Sequence, residues 1–465
     1  MAERSGGGAS TTSDVLERLG ADARSVLDAN WLGASTLPSR TLYPHQWNWD
    51  SAFMAIGRAH YDEVRARQEL RSLFNAQWVN GKLPQIVFNP SVAEDAYFPG
   101  PGFWQSSARS ADAPRGVQTS GLTQPPIHAR AALEMHRSSR DVDGSREFLR
   151  WLYPRLVAQH RYFADERDPT KVGLTSFVHP WESGLDNSPA WDRDLTELVI
   201  PDGSIPPYVR HDLAHGDPKD RPTNAAYDRF VYLAAHYRDS AYDDRGYPDS
   251  MPFTVAGPLF NAVFLWSTHA LAEIARVVGA DPNPHHEAAE RIHRAIGEHL
   301  WDPETKRFCA LDVVRGDRSA ENTIVSFMPL LDPDLPKDQI EAIVAHLHSA
   351  SFHPDRKISY VVPSYDLLAE DFNERQYWRG PIWINTNWML HAGLRQHGYH
   401  SLADQVLVSS LRLVATSGFR EYFDPFDATG YGTDGFGWTA ALVIDLIERH
   451  PANDRERLIE QLVAS

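Results

Sequence analysis

The sequence is nearly free of cysteine, has no long hydrophobic run and carries an excess of acidic over basic residues. One cysteine, Cys309, in 465 residues excludes a disulfide framework or a thiolate zinc cluster, and we expect it to be a small buried hydrophobe. No apolar run approaches the roughly 18 residues of a membrane span. Lys and Arg total 45 against 62 Asp and Glu, a net charge of −17. That sign argues against a nucleic-acid binder and against a polybasic membrane-surface protein.

The beginning of the chain is rich in Gly, Ser and Thr and lacks the apolar stretch of a secretory signal. We therefore expect residues 1–12 to form a disordered tail on a cytoplasmic protein. Beyond this segment, apolar residues recur mostly with the helical period, whereas strand-like runs are few and short. Strands and helices do not alternate as in a doubly wound sheet, so the pattern predicts an all-α fold.

The predicted helices share an apolar stripe with a period near 3.6 residues. They span residues 13–30, 51–60, 61–78, 124–140, 145–165, 225–237, 258–278, 285–301, 337–349, 381–398, 400–417 and 437–449. The clearest strand signals lie at residues 86–88 and 360–363.

Two long connections, residues 81–118 and 173–222, are rich in residues that break helices. Both also carry Tyr, Trp and Phe, which favours ordered functional loops over disorder. No repeat of 20 to 50 residues and no low-complexity linker divides the chain. We predict a single helical domain over residues 13–465, in which these two loops form a lid at one mouth. Composition leaves the oligomeric state open, including a homo-oligomer.

Tryptophan is unusually frequent and unusually placed. Of the 14 Trp, ten lie in motif-like stretches beside Gly, Pro, Asn, Asp or Arg. A hydrophobic core does not need its Trp in such places, whereas an aromatic-walled pocket for a sugar does. A small-molecule ligand of this kind needs no metal or cofactor, and we predict neither.

The first aromatic motif runs from Tyr43 to Asp50 and reads Tyr-Pro-His-Gln-Trp-Asn-Trp-Asp. Trp47 and Trp49 are candidates for the wall of a pocket, and Asp50 for an acceptor of hydrogen bonds from sugar hydroxyls. The alternative is that Asp50 caps a helix that begins at Ser51.

The second motif, His179 to Pro189, contains Glu182 and Asp186 beside Trp181. A carboxylic acid against an indole in a dry pocket has a raised pKa and can serve as a general acid near neutral pH. The alternative for Asp186 is a surface turn with the two residues that follow it. Glu182 has three open roles: it orients Asp186, binds a sugar hydroxyl, or buttresses the loop.

Two further motifs lie near the C-terminus. Residues 377–388 place Trp378 and Trp383 around Arg379, and we expect a helix to begin near Pro381. Residues 419–440 place Glu421 before a Gly-rich loop that ends at a helix.

Three other residues are candidates for completing the pocket. Gln124 stands at a helix start and Tyr97 lies on the first long loop. Arg229 lies near another helix start, where a surface ion pair is an equally good interpretation.

Together these motifs resemble glycoside hydrolase family 63, in particular its bacterial mannosylglycerate and glucosylglycerate hydrolases. The likeness runs from about Tyr43 to Leu446. The motifs that carry it are Tyr43 to Asp50, Gln124-Pro-Pro126, Trp181 to Pro189, Tyr377 to Trp383 and Glu421 to Trp438.

The resemblance implies an (α/α)6 toroid and an inverting, exo-acting hydrolase of small α-glycosides. It places the general acid on Asp186 and the general base on Glu421. It implies a sugar subsite formed by Tyr43, Trp47, Trp49, Asp50, Gln124, Trp181, Gly184, Trp378 and Trp383. It implies that Tyr97, Arg229 and Tyr377 lie on the loop and aglycone side.

The sequence favours one substrate and leaves other functions open. The favoured substrate is an α-glucoside or α-mannoside of glycerate, since Arg229 would pair with an anionic aglycone. A disaccharide such as trehalose or kojibiose is the alternative within the same class. A carbohydrate-binding protein without catalysis is the alternative from another class. A metal-dependent lyase is disfavoured because these loops contain no His pair at metal-ligand spacing.

Overall fold

The computed structural model describes residues 13–213, 217–245, 251–353, 360–451 and 455–463. The disordered tail predicted for residues 1–12 lies outside them. Among the described residues, no helix is long and apolar enough to cross a membrane.

Six inner helical segments form a closed ring, in which each segment packs against the next and the last packs against the first. The inner segments are Asn48–Ala59, His128–Ser138, Pro258–Val278, the 3-10 helix Ile324–Leu331, Ile384–Gln396 and Gly437–Arg449. Six outer helices alternate with them, the first before the first inner segment and the other five between inner segments, and each packs on an inner neighbour. The outer helices are Ser13–Asn30, Glu63–Asn75, Val142–Glu166, Asn283–Ala295, Lys337–Leu347 and His400–Ser417. This alternation is an (α/α)6 barrel, as predicted.

The remaining elements lie mostly in the connections, and all but the 16-residue helix Asn224–Asp239 are short. The other helices are Pro101–Trp104, Ser106–Arg109, Pro180–Ser183, Asp192–Thr196, Asn224–Asp239 and Arg455–Val463, with 3-10 turns at Pro189–Trp191 and Pro218–Asp220 and a π-helical turn at Ile296–Leu300. The strands are all antiparallel and two residues long. Three pairs are Gln46–Trp47 with Ile86–Val87, Trp301–Asp302 with Arg307–Phe308, and Tyr422–Phe423 with Gly430–Tyr431. The fourth sheet has three strands, with Leu311–Asp312 between Val255–Ala256 and Asp317–Arg318.

Local sequence explains many of the helix boundaries. The side chains of Asp62, Asp141 and Thr223 each accept a hydrogen bond from a backbone N–H in the first turn of the helix that follows. Gly279 ends the longest inner helix with φ +82°, a conformation that a side chain disfavours. The predicted bounds at 13–30, 258–278, 400–417 and 437–449 agree with the structure.

Three details of the local structure differ from what the sequence predicts. The inner segment Ile324–Leu331 was not predicted, because all eight residues are buried and so show no helical period. No helix begins at Pro381. Ile382 instead bridges to Phe423 in extended conformation, and the helix begins at Ile384. Residues 360–363 form no strand. The backbone groups of Val361 bond the side chains of Ser409 and Asn387 instead of a neighbouring strand.

Candidate active site

One pocket opens where the N-terminal ends of several inner helices meet. Asp50 lies in the first turn of Asn48–Ala59, Gln124 precedes His128–Ser138, and Trp438 lies in the first turn of Gly437–Arg449. Helix N-terminal ends carry partial positive charge and therefore stabilise carboxylates. The pocket is lined by Pro38, Tyr43, Trp47, Trp49, Asp50, Gln85, Ile86, Tyr97, Pro99, Gln124, Trp181, Gly184, Asp186, Asp212, Arg221, Pro222, Tyr227, Tyr377, Trp378, Glu421, Phe436 and Trp438.

Asp186 reaches the pocket on a loop that follows the short helix Pro180–Ser183. The loop turns at Gly184, where φ is +79° and an added Cβ would lie 2.5 Å from the Trp49 ring. Only glycine allows that close approach. Burial, reinforced by the negative charge of Glu421, raises the pKa of Asp186 from 3.8 to about 7. A carboxyl in this environment is partly protonated at neutral pH and can donate a proton.

Glu421 lies just before the strand Tyr422–Phe423 and is 1% exposed. Its Oε1 accepts hydrogen bonds from the hydroxyls of Tyr43 (2.7 Å) and Tyr377 (3.3 Å). Its Oε2 accepts from Arg221 Nη2 (2.9 Å) and from the backbone N–H of Thr433 (3.1 Å). These donors hold the carboxylate in one orientation, with a cation at its side.

The residue opposite this carboxylate must be glycine. Gly432 has φ +68°, and an added Cβ would lie 2.3 Å from Glu421 Oε2. The Gly-rich loop is therefore shaped around the Glu421 side chain.

Asp50 is a pocket residue and not the N-cap of its helix. The N-cap is Trp47, and Asp50 is the third helical residue, 4% exposed. Burial, together with the nearby Glu421 and Asp186, raises the pKa of Asp50 well above its usual range. Gln124 lies beside it, and its Oε1 accepts a 3.4 Å hydrogen bond from the backbone N–H of Trp49.

Aromatic rings form the walls of the pocket. Tyr97, from the first long loop, packs edge-on against Trp47 with ring centroids 5.1 Å apart. Trp378 stacks on Trp383 at 3.8 Å with the two planes 6° apart. Flat apolar rings and hydrogen-bonding side chains in one lining match the two kinds of surface that a sugar ring presents.

A family model described as the mannosylglycerate hydrolase MGH1-like glycoside hydrolase domain matches residues 43–439. The chain belongs to this glycoside hydrolase family. It is 42% identical to a mannosylglycerate hydrolase of Rubrobacter radiotolerans, covering 93% of this chain and 97% of that protein. It is 37% identical to a glucosylglycerate hydrolase of Mycolicibacterium hassiacum, covering 92% and 97%.

A solved structure is similar over nearly the whole barrel. The family 63 mannosylglycerate hydrolase of Thermus thermophilus, crystallised with Tris and D-glycerate, superimposes with a TM-score of 0.84 at 39% identity. The match covers 92% of this chain and 99% of that one. The resemblance found in the sequence motifs is thus confirmed for fold, family and enzyme class.

Within this glycoside hydrolase, three of the predicted site residues do not line the pocket. Glu182 is 0% exposed, and its carboxylate pairs with Arg167. Trp383 lies behind Trp378 and donates its Nε1–H to the carbonyl of Tyr377. Arg229 donates to the backbone carbonyls of Leu195 (2.7 Å) and Ala225 (2.8 Å). These residues support the walls of the pocket or lie outside it.

The structure brings to the pocket several residues that the sequence analysis did not select. Arg221 lies in the second long loop between a 3-10 turn and Pro222, in a stretch with no recognisable motif. Asp212, from the same loop, and Tyr227, two residues before Arg229, also line the pocket. Gln85 also lines the pocket, as do Phe436 and Trp438, which lie within the motif of residues 419–440. Pro38, Ile86, Pro99 and Pro222 complete the lining.

One group of potential metal ligands occurs among the described residues, formed by His269, Asp332 and Asp334 with ligand atoms within 4.8 Å of one another. None of the three lines the pocket, and Asp332 already bonds His293 Nδ1 at 2.6 Å. Cys309 is buried, as predicted.

Proposed function

We propose that this family member is an inverting, exo-acting α-glycosidase in which Asp186 is the general acid and Glu421 is the general base. Asp186 donates a proton to the leaving oxygen, and Glu421 removes a proton from the water that attacks from the opposite face of the sugar ring. Inverting enzymes separate these carboxyls by about 6.5 to 9.5 Å to make room for that water.

The observation that carries the proposal is the different surroundings of the two carboxyls. Asp186 has a pKa raised to about 7, and in the described part of the chain it hydrogen-bonds no other side chain. Glu421 is held by two tyrosines, an arginine and a backbone N–H. Asp186 can therefore hold a proton, whereas Glu421 is kept as a carboxylate by its donors. Acid–base hydrolysis requires this division of roles between two carboxyls.

The closed floor of the pocket supports exo action. Below Trp49, edge-on and tilted ring contacts run through Phe53 and Trp388 to Trp266, with centroids 5.4 to 5.9 Å apart. Trp438 packs on the same column. Because these rings fill the interior of the barrel, the site accepts the end of a saccharide and not a chain that passes through.

We propose an α-mannoside or α-glucoside of glycerate as the substrate. Among the described residues that line the pocket, Arg221 is the one cation, and it is 4% exposed. A buried guanidinium is suited to the carboxylate of an anionic aglycone. Relatives named for mannosylglycerate and for glucosylglycerate, at 42% and 37% identity, support both sugars. Arg221 takes the role expected of Arg229.

We further propose that the enzyme works in the cytoplasm on small molecules and needs no nucleic-acid or membrane partner. The negative net charge and the single cysteine support this setting.

Proton NMR of the reaction tests the proposal directly. The purified protein is mixed with α-mannosylglycerate, α-glucosylglycerate, trehalose and kojibiose in separate tubes, and the anomeric signal of the released sugar is followed. A β-anomer that appears first, from a glycerate glycoside, is expected. An α-anomer first would contradict inversion, and hydrolysis of a disaccharide alone would contradict the aglycone. Binding without turnover of any compound would indicate a carbohydrate-binding protein.

The matched variants are Asp186→Asn and Glu421→Gln. Each should lower kcat by about 10² to 10⁴-fold, the usual contribution of a general acid or base. Retained activity in either variant would contradict the role assigned to that residue.

A further inference from the structure

We propose that Glu182, through a buried ion network, is a positioning residue for the acid Asp186; this inference rests on the proposed function. Glu182 lies in the short helix Pro180–Ser183, four residues before Asp186, and its side chain pairs with Arg167 in the protein interior and does not line the pocket. The network connects the acid loop to two other segments that line the pocket.

The Glu182 carboxylate accepts four hydrogen bonds and is saturated. Oε1 accepts from Arg167 Nη2 (2.8 Å) and from the backbone N–H of Thr123 (3.1 Å). Oε2 accepts from Arg167 Nη1 (2.7 Å) and from the backbone N–H of Val178 (2.9 Å). Thr123 is the neighbour of the pocket residue Gln124. One carboxylate therefore joins the acid loop to the sugar-binding segment.

Arg167 continues the network to a third segment. Its Nε lies 3.0 Å from Asp244 Oδ1, and Asp244 lies 3.2 Å from the ammonium group of Lys82. Lys82 comes three residues before Gln85, which lines the pocket. Tyr237 donates to Asp244 at 2.6 Å and accepts from Lys82 at 2.6 Å. The side chains of Glu182, Arg167 and Lys82 are 0% exposed, and that of Asp244 is 2% exposed.

Stability alone is a poor explanation for four buried charges. Removing charges from water costs several kcal/mol per ion, and well-packed hydrophobic residues often serve as well or better. Charged, bidentate hydrogen bonds do fix geometry more narrowly than apolar contacts. A general acid needs such definition, because a displacement of about 1 Å can cost 10²-fold in rate.

Glu182→Gln tests the proposal, because the amide cannot satisfy this site. Both carboxylate positions face N–H donors only, so the amide NH2 opposes donors in either orientation. The substrates are α-mannosylglycerate and α-mannosyl fluoride, or the gluco pair if the NMR panel selects glucose. Fluoride leaves with little help from an acid, whereas the glycerate oxygen must be protonated. We expect kcat to fall about 10 to 100-fold on the glycerate glycoside and less than about twofold on the fluoride, with KM little changed.

Asp445→Asn is the matched control. The Asp445 side chain is also 0% exposed and bonds His60, Trp388 and Arg449, but it lies in the C-terminal half of its inner helix, away from the mouth. We expect both variants to lower Tm and only Glu182→Gln to show a loss that depends on the leaving group. If Glu182→Gln does not fold, Arg167→Lys replaces it in the same measurements. This variant keeps the positive charge and removes the paired hydrogen bonds from the guanidinium to Glu182.

Asp186→Asn separates failure of the inference from failure of the proposed function. If Asp186→Asn loses activity on the glycoside and not on the fluoride, while Glu182→Gln loses both equally or neither, the positioning role is wrong and the acid stands. If Asp186→Asn itself shows no dependence on the leaving group, Asp186 is not the acid and both proposals fall.

Discussion

At the scale of single residues, the Asp186 carboxyl predicts how activity and stability depend on pH. Its pKa in the folded protein, about 7, lies above the usual 3.8 because the group is buried near Glu421. A working acid must be protonated, so kcat on glycosides should fall as pH rises through about 7. The pH profile of kcat with the glycerate glycoside measures this fall. With the glycosyl fluoride, which needs little protonation, kcat should fall less over the same pH range.

The same pKa shift predicts that Asp186→Asn stabilises the protein at higher pH. A raised pKa means that the folded state binds the proton more tightly than the unfolded state, so stability is lost as pH rises from about 4 through 7. The neutral amide does not ionise. The free energy of unfolding should exceed that of the wild type by about 1 to 3 kcal/mol at pH 8 and by little at pH 4.5. Denaturant titrations at both pH values measure the difference in unfolding free energy between the variant and the wild type. An equal difference at the two pH values would contradict the prediction.

Arg221 predicts how the enzyme selects its aglycone. Its guanidinium donates to Glu421 at 2.9 Å and to Tyr43 at 3.1 Å, and the residue lines the pocket. Arg221→Met should lower kcat on all substrates, since it frees Glu421. It should also lower kcat/KM for a glycerate glycoside, relative to the methyl glycoside, by a further roughly 10 to 100-fold, as expected for a hydrogen bond to a charged group.

The ratio of the two kcat/KM values is the deciding measurement, because the general loss cancels. Arg229→Met is the control, since its guanidinium bonds backbone carbonyls outside the lining of the pocket. A ratio unchanged in Arg221→Met would remove this arginine from aglycone recognition.

At the scale of elements, the turn at Gly432 is shaped around the Glu421 carboxylate. We expect Gly432→Ala to fold and to lose activity. Gly432→Ala would place a Cβ 2.3 Å from Glu421 Oε2 and displace that carboxylate. Gly435→Ala is the control, because Gly435 has a similar φ of +61° and nothing within 4 Å of the added Cβ.

Both variants should cost about 1 to 2 kcal/mol from the left-handed backbone. Gly432→Ala should cost more than Gly435→Ala, because its added Cβ would also lie 2.7 Å from the Cβ of Glu421. Only Gly432→Ala should lower kcat, by about tenfold or more, as a misplaced catalytic group does. Thermal unfolding and steady-state kinetics measure the two effects separately. Equal kcat values in the two variants would show that Gly432 does not shape the Glu421 site.

At the scale of the whole molecule, the two ends of the chain close the ring at the pocket. The first outer helix packs on the last inner helix, Gly437–Arg449, and Asn30 donates to the carbonyl of Gly435 at 2.9 Å. Thr41 and Thr433 bond through their hydroxyls at 2.7 Å. Two of the residues that bond Glu421, Tyr43 and Thr433, lie beside this closure.

Loss of packing at this closure should lower stability and leave the chemistry intact. Leu27 is 0% exposed in the first outer helix, so Leu27→Ala should cost about 2 to 5 kcal/mol of unfolding free energy. Leu32 is 42% exposed and serves as the control. Leu32→Ala should change the unfolding free energy by less than about 0.5 kcal/mol. Chemical denaturation and kcat below the transition test both variants. A large fall in kcat for Leu27→Ala would show that the closure also tunes the site.

Helix periodicity predicts most of the helices that the structure shows. Twelve of the fifteen candidate site residues line the pocket, and the family resemblance contributed to their selection. Periodicity reports a half-buried helix well, since one face meets the core. It failed at Ile324–Leu331, where every face is buried and Pro329 lies inside the segment. The aromatic motifs made Asp186 and Glu421 candidates because short-range sequence surrounds each of them with Trp, Tyr and Gly, and the family resemblance supplied the roles of acid and base.

Apolar period and motif composition are local properties, and by themselves they predict a helical domain with an aromatic, carboxylate-bearing pocket. The closed (α/α)6 barrel followed from the family resemblance that the motifs carry. Tertiary structure decided which charged residues face that pocket. Glu182 and Arg229 lie in or beside motifs, yet point elsewhere, whereas Arg221 has no motif and bonds Glu421 from 200 residues away. Such pairing depends on how two loops meet across the barrel mouth, and no spacing within either loop encodes it.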